Sequence, residues 1–150
     1  MKDDVIRDKS YQFALRVVKL SRYLVEEKKE YVLSKQVLRS GTSIGANVEE
    51  SKQAQSKMDF VHKLSIANKE AFETNYWLRL LRDSDLINSK LAGSLLNDCE
   101  ELQKILVASI KTAKVLVFRS QLSVISSQLS VISYLHVHRN HRRTRSSQPY

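Results

Sequence analysis

The sequence predicts an all-α protein, an antiparallel up-down-up-down four-helix bundle over residues 1–117, followed by a repeat-containing basic tail, residues 118–150, that is disordered or weakly structured. Three observations carry this. The 150 residues include three glycines and one proline, and that proline is Pro149; a β-rich fold draws on both residue types for its turns. Apolar residues recur at spacings of three and four through four segments, the mark of helices that bury one face. Short polar links join the segments, which makes successive helices neighbours.

The first helix is expected from about Asp8 to Lys28, with Phe13, Val17, Leu20 and Leu24 on its apolar face. The link "EEKKEY" leads to a second helix from about Leu33 to Gln55, with Leu33, Val37, Ile44 and Val48 facing inward. Small residues, Ser40 and Gly41, occupy the gap between Val37 and Ile44. Ser56 then reads as an N-cap with Asp59 three residues on, a capping-box-like start to the third helix. That helix has the clearest pattern: Phe60, Leu64, Ala67, Ala71, Thr74, Leu78 and Leu81 form an unbroken heptad seam ending near Arg82. The loop "DSDLIN" precedes a fourth helix from about Ser89 to Val117, striped by Leu91, Leu95, Cys99, Leu102, Leu106, Ser109 and Ala113.

Beyond Val117 the pattern changes. "SQLSVIS" at 120–126 recurs unaltered at 127–133, as a short duplication in the coding DNA would produce. Leu122, Ile125, Leu129 and Ile132 make a heptad stripe in it, but serine is a poor helix former. The end, "YLHVHRNHRRTRSSQPY", reads as a solvated basic tail, although its His136, His138 and His141 are also the residues a metal site would need.

The net charge of +9 is uneven: five arginines and no acid lie in 118–150, leaving 20 basic and 16 acidic residues, a net +4, in the body. Such basicity permits nucleic-acid contact without requiring it. Cys99 is the single cysteine, so no intramolecular disulfide exists, and its place on an apolar stripe marks it as a buried small hydrophobe. The N-terminus is too polar for a secretory signal, and no apolar run approaches the ~20 residues of a membrane span, so the expected compartment is the cytoplasm, with no membrane partner.

No catalytic motif is present. "RSGTSIGANVEES", residues 39–51, has two glycines but lacks the Gly-Lys-Ser/Thr of a phosphate loop. Gly41 and Gly45, four apart, instead suit close approach of a neighbouring helix, which offsets the ~1 kcal/mol each glycine costs a helix. Glu49, Glu50, Glu70 and Glu73 lack the Glu-x-x-His pairing of a di-metal bundle. The expectation is therefore no enzyme, no metal and no cofactor.

From Val32 to Leu81 the chain resembles bacterial four-helix bundle proteins related to the 23S rRNA intervening-sequence proteins. The accessory variability determinant proteins of diversity-generating retroelements belong to the same group. The matching elements are Gln36 and Arg39 in "KQVLRS", Ser43, Asn47 and Glu50 in "SIGANVEES", and Ala67, Glu70, Glu73 and Trp77 in "FVHKLSIANKEAFETNYWL". The resemblance spans roughly residues 8–115 and leaves out the tail. It implies an antiparallel bundle that assembles as a ring, a pentamer, and no enzymatic activity. Retroelement members of the group are partners of a reverse transcriptase and bind nucleic acid through basic outer faces.

Two functions are thus expected: a nucleic-acid-binding oligomer (RNA or DNA), or a protein-interaction scaffold without a nucleic-acid role. Candidate phosphate contacts are Arg16, Lys19 and Arg22 on the first helix and Lys28, Lys29 and Lys35 at the adjoining link. Arg39, Asn47, Glu50, Glu70 and Glu73 form a polar motif expected to join facing helices or subunits, with Asn47 and Glu50 meeting Glu70, Glu73 or Arg39.

Overall fold

The structure, a computed structural model, describes residues 2–145, with side chains from 5 to 136. Four helices occur and no strand among the described residues: α1 (Lys2–Glu26), α2 (Leu33–Ser51), α3 (Lys57–Asp83) and α4 (Ser89–Arg145). The chain divides into two units, Met1–Lys114 and Val115–Tyr150.

In the first unit the helices share one core. Phe13, Val17, Leu20 and Leu24 from α1, Val37, Ile44 and Val48 from α2, Leu64, Ala67, Ala71, Leu78 and Leu81 from α3, and Leu95, Cys99, Leu102 and Leu106 from α4 are all buried. Fully burying each of the larger side chains stabilises the fold by roughly 1.5–3 kcal/mol. The predicted faces are therefore the buried ones, although Leu33, Phe60 and Leu91 sit at its margin, partly buried. Ala92 and Leu96 are also buried, on a second strip of α4 that the single seam does not include.

Polar chemistry sets the helix ends. Glu30 begins α2 without a conventional cap: its Oε1 accepts from the N–H groups of Val32 and Leu33, both at 3.0 Å, and its Oε2 from Ser34 at 2.7 Å. One carboxylate thus satisfies three donors that a helix start leaves open. Ser56 caps α3 as the sequence predicts, its Oγ accepting from the Asp59 N–H at 3.1 Å, while Asp59 reaches back to the Gln55 N–H at 3.2 Å. α3 ends in a Schellman motif: Leu86 donates to the Leu81 carbonyl at 3.1 Å, Asp85 to that of Arg82 at 3.1 Å, and Asp85 takes the left-handed φ of 58°. Asn88 then accepts from the Leu91 N–H at 2.8 Å and starts α4.

Three boundaries differ from expectation. α1 begins earlier, at Lys2, and α2 stops at Ser51 rather than near Gln55, with residues 52–56 as the turn into α3. The largest difference concerns the tail, which is helical through Arg145 rather than disordered. No glycine or proline lies between Gly93 and Pro149, so nothing in the covalent chain stops the helix. Serine's low propensity, ~0.5 kcal/mol per residue, is too small to act as a terminator.

This long helix also contains an 18-residue window of mean hydropathy 1.4, long and apolar enough by composition to cross a membrane. A search for apolar runs does not register this window, because Ser and Gln are interspersed in it. Arg139, His138 and His141, with the other residues from 137 onward, lie outside the described side chains.

Candidate nucleic-acid interface and polar network

Gly41 lies at the closest helix contact. A Cβ there would stand 2.8 Å from both methyl carbons of Val17, so α1 and α2 meet at this spacing only because position 41 carries no side chain. Gly45 faces the Ser10 carbonyl with room for an ordinary contact at 3.4 Å. The small residues of 39–51 thus lie on a packing face of α2, as predicted, and the stretch ends with the helix at Ser51.

The polar motif separates into two clusters. In the first, the Arg39 guanidinium reaches Glu70 at 3.4 Å and is hydrogen-bonded to Glu73. Glu73 Oε1 also accepts from the Trp77 indole N–H at 3.1 Å, and Trp77 meets Tyr76 edge-on with ring centroids 4.9 Å apart. The Trp77 and Arg39 bonds together hold the Glu73 carboxyl below the usual carboxylate range. The Arg39 guanidinium is held above its ordinary value, first by the Glu73 hydrogen bond. Below this surface network, Thr74 Oγ1 donates to Ser40 Oγ at 2.9 Å, and both residues are fully buried. Ser40 also donates to the Gln36 carbonyl at 3.0 Å, and the single Thr74 hydroxyl proton is shared between Ser40 and the Glu70 carbonyl, 2.7 Å away. This contact marks the register of the α2–α3 seam: a slip would part the two hydroxyls and set each against apolar neighbours, with only its own-helix carbonyl left.

The second cluster corrects the expectation for Asn47 and Glu50. Glu50 pairs with Lys63 at 2.6 Å, and the Asn47 amide donates to the Ser43 carbonyl on its own helix at 2.9 Å. Neither meets Arg39, Glu70 or Glu73. With Glu49 on Arg7 at 2.7 Å, every acid of the dismissed di-metal set has a cationic partner. Among the described residues no three His, Cys, Asp or Glu side chains gather as a metal site.

The basic candidates also divide. Arg16 is half-buried and paired with Asp98, and its second amino group donates to Ser94 at 2.9 Å, so it ties α1 to α4 rather than presenting a free charge. Lys29 adopts φ 54° and donates to the Glu26 carbonyl at 2.8 Å, which places its charge at the C-terminal end of α1 where the helix dipole favours it. Lys28 stands 5.9 Å from the centre of the Tyr23 ring. Lys19, Arg22 and Lys35 are exposed and form no ion pair among the described residues. The Ser21 hydroxyl reaches the Ser34 carbonyl at 3.4 Å, which brings the end of α1 bearing Arg22 beside the start of α2 bearing Lys35.

Cys99 donates to the Ala71 carbonyl at 3.2 Å from a buried position, and burial, aided by Glu100, pushes its thiol up to about 12. A thiol held protonated in this way is a packing group, not a nucleophile. His62, the only histidine of the body, is exposed on α3. The partners Asp98, Lys63 and Glu30 carry no motif signal, because each is defined by a contact between helices or across a link.

Comparison with known proteins agrees with this architecture. The family model for the 23S rRNA-intervening sequence protein matches residues 2–108. A protein with unknown function from the S23 ribosomal protein family of Bacteroides thetaiotaomicron, known from its crystal structure, is 55% identical with a TM-score of 0.73. The match covers 74% of this chain and 99% of that one. No curated protein matches the chain. The chain belongs to the 23S rRNA-intervening sequence protein family.

Proposed function

We propose that this protein is a non-enzymatic, homo-oligomeric helical bundle that binds nucleic acid through the basic surface where α1 meets α2. The observation that carries the reading is the trio Lys19, Arg22 and Lys35, exposed and without ion pairs among the described residues, on two helices that the Ser21–Ser34 contact joins. Lys28 and Lys29 extend this surface. Phosphate needs mobile, unneutralised cations of this kind, and a homo-oligomer repeats the patch so that weak contacts add. The family's name links it to an intervening sequence of 23S rRNA, which favours RNA as the ligand.

The proposed helix arrangement is antiparallel, up-down-up-down. In support, Arg7–Glu49 and Ser21–Ser34 pair α1 with α2 in opposite senses, Lys63–Glu50 and Thr74–Ser40 do so for α2 with α3, and Lys9–Glu101 and Arg16–Asp98 for α1 with α4. The assembly is proposed as a pentameric ring in the cytoplasm, on the resemblance, with no cofactor.

The test is retardation of structured RNA at low salt. Binding should weaken as salt rises, and the Lys19→Gln/Arg22→Gln/Lys35→Gln variant should reduce the log–log salt slope by about 2 to 3. Retention of full binding by that variant would refute the site. A second reading, a protein-interaction scaffold, is favoured by one observation: Phe72 and Val107 are exposed beside Asn75, Gln103 and Lys104 in a shallow mixed groove. It predicts a protein partner, a reverse transcriptase being the one the resemblance implies, whose capture withstands nuclease and salt.

A further inference from the structure

The helix beyond Lys114 lies outside the family match, which ends at residue 108, and the solved relative is almost wholly accounted for by 74% of this chain. Whatever this segment does is added to the family fold. Its sequence has an exact period: "SQLSVIS" is seven residues long and its second copy follows the first without a gap. Seven residues are close to two helical turns, so a seven-residue duplication places each side chain over its own copy on one strip.

We propose that residues 115–135 form a homotypic coiled-coil strand, whose partner is the same segment of further copies of this chain. In heptad notation Val115, Leu122 and Leu129 take position a, and Phe118, Ile125 and Ile132 take position d, giving three consecutive heptads. All six side chains are exposed, between 46% and 62%. The spacing that packs Leu102 and Leu106 in the core, continued through Ser109 and Ala113, would next fall on Leu116, Ser120, Ser123 and Ser127. The stripe at 115–132 is therefore a separate seam, not that one prolonged.

The polar residues decide what covers the seam. The six serines and two glutamines of residues 120–133 all fall at positions b, e, f and g, and none at a or d. A lipid surface or hydrocarbon core would meet these groups around much of the helix, whereas a coiled coil leaves them facing water. Charge points to a copy of the same chain. Arg119, at position e, is the one Lys, Arg, Asp or Glu in residues 115–135, so the flanks carry no charge pattern to select an unlike partner and a single like charge per strand against an identical one. Leu at a with Ile at d further favours more than two strands.

The test uses the full chain. Ile125→Cys places a thiol in the seam and Ser127→Cys places one on the outward position f. Cys99, buried and held as a thiol, stays out of the exchange. Under mild oxidation the first variant should convert to interchain disulfide-linked species while the second stays largely uncrosslinked. Adding Leu122→Lys and Leu129→Lys to the Ile125→Cys chain should abolish the crosslink and lower the sedimentation mass. Those lysines replace exposed side chains, so an unchanged melt of the body serves as the folding control. Equal crosslinking at 125 and 127, or no crosslink with an unaltered mass, would overturn the proposal. So would co-flotation of the unmodified chain with phosphatidylcholine vesicles that the lysines abolish, which would identify lipid as the partner. RNA retardation by the lysine variant reports separately on the basic surface.

Discussion

Two stretches of α4 use the same spacing of apolar residues with opposite results. Leu95, Cys99, Leu102 and Leu106 are at most 1% exposed, while Leu122, Ile125, Leu129 and Ile132 are 49% to 62% exposed. Periodicity therefore fixes that a helix has an apolar stripe, and leaves open who covers it. In the body the cover is within the chain, from α1, α2 and α3; in the repeat the stripe itself stays exposed. The two stretches should consequently respond differently to damage.

Proline gives the largest contrast. Ala71→Pro removes a backbone donor in mid-α3 and forces its ring into the preceding turn at a fully buried position, costing ~3 kcal/mol or more. We expect loss of most helical circular dichroism at 37 °C. Ser127→Pro, at an exposed site, should lower helicity by only a few turns and leave the melting temperature of the body unchanged. Equal effects would mean that the two stretches fold as one cooperative unit.

The contrast also marks how much could be read from sequence. The α3 seam was legible because every member from Leu64 to Leu81 alternates threes and fours, and a stripe so regular has one geometric reading. Arg39 with Glu70 and Glu73 was legible as a set. Asn47 and Glu50 were assigned the wrong neighbours, because partners across helices depend on rotation and stagger, which the period of one helix does not determine. Arg16 shows the same limit: its partner Asp98 is 82 residues away and nothing local announces it. Ala92 and Leu96 escaped because a helix in a bundle touches two neighbours and buries more than one strip. The helix of the tail is hard to read because its many serines lower helix propensity only slightly, while the absence of any Gly or Pro in it before Pro149 leaves nothing to stop it.

A finer version of the packed-versus-open contrast lies among the glycines. Alanine adds the same methyl group at each and gains about 1 kcal/mol of helix propensity. At Gly41 the methyl would collide with the stiff, branched Val17, and overpacking of this kind costs about 1–3 kcal/mol. Gly41→Ala should therefore be net destabilising by roughly 1 kcal/mol, whereas Gly93→Ala, with nothing within 4 Å, should raise the melting temperature. Stabilisation by both would show that α1 and α2 do not approach as closely as 2.8 Å requires.

The smallest effect expected is at Glu30, where the body's order depends on charge rather than packing. Partial desolvation raises its carboxyl, but the three backbone N–H bonds from Leu33, Ser34 and Val32 outweigh it, so the folded-state value lies below the usual 4.5. A depressed value means that the folded protein holds the proton less tightly than the unfolded chain. The stabilisation is then fully present above the usual glutamate range and is lost as the pH falls through the folded value. Glu30→Gln keeps one acceptor oxygen and loses the charge, at a cost of about 1 kcal/mol at neutral pH, the scale of a helix cap. The gap in melting temperature between the two proteins should close in acid, where the native carboxyl is also neutral. A gap that stays constant with pH would show that shape at position 30, and not the carboxylate, starts α2.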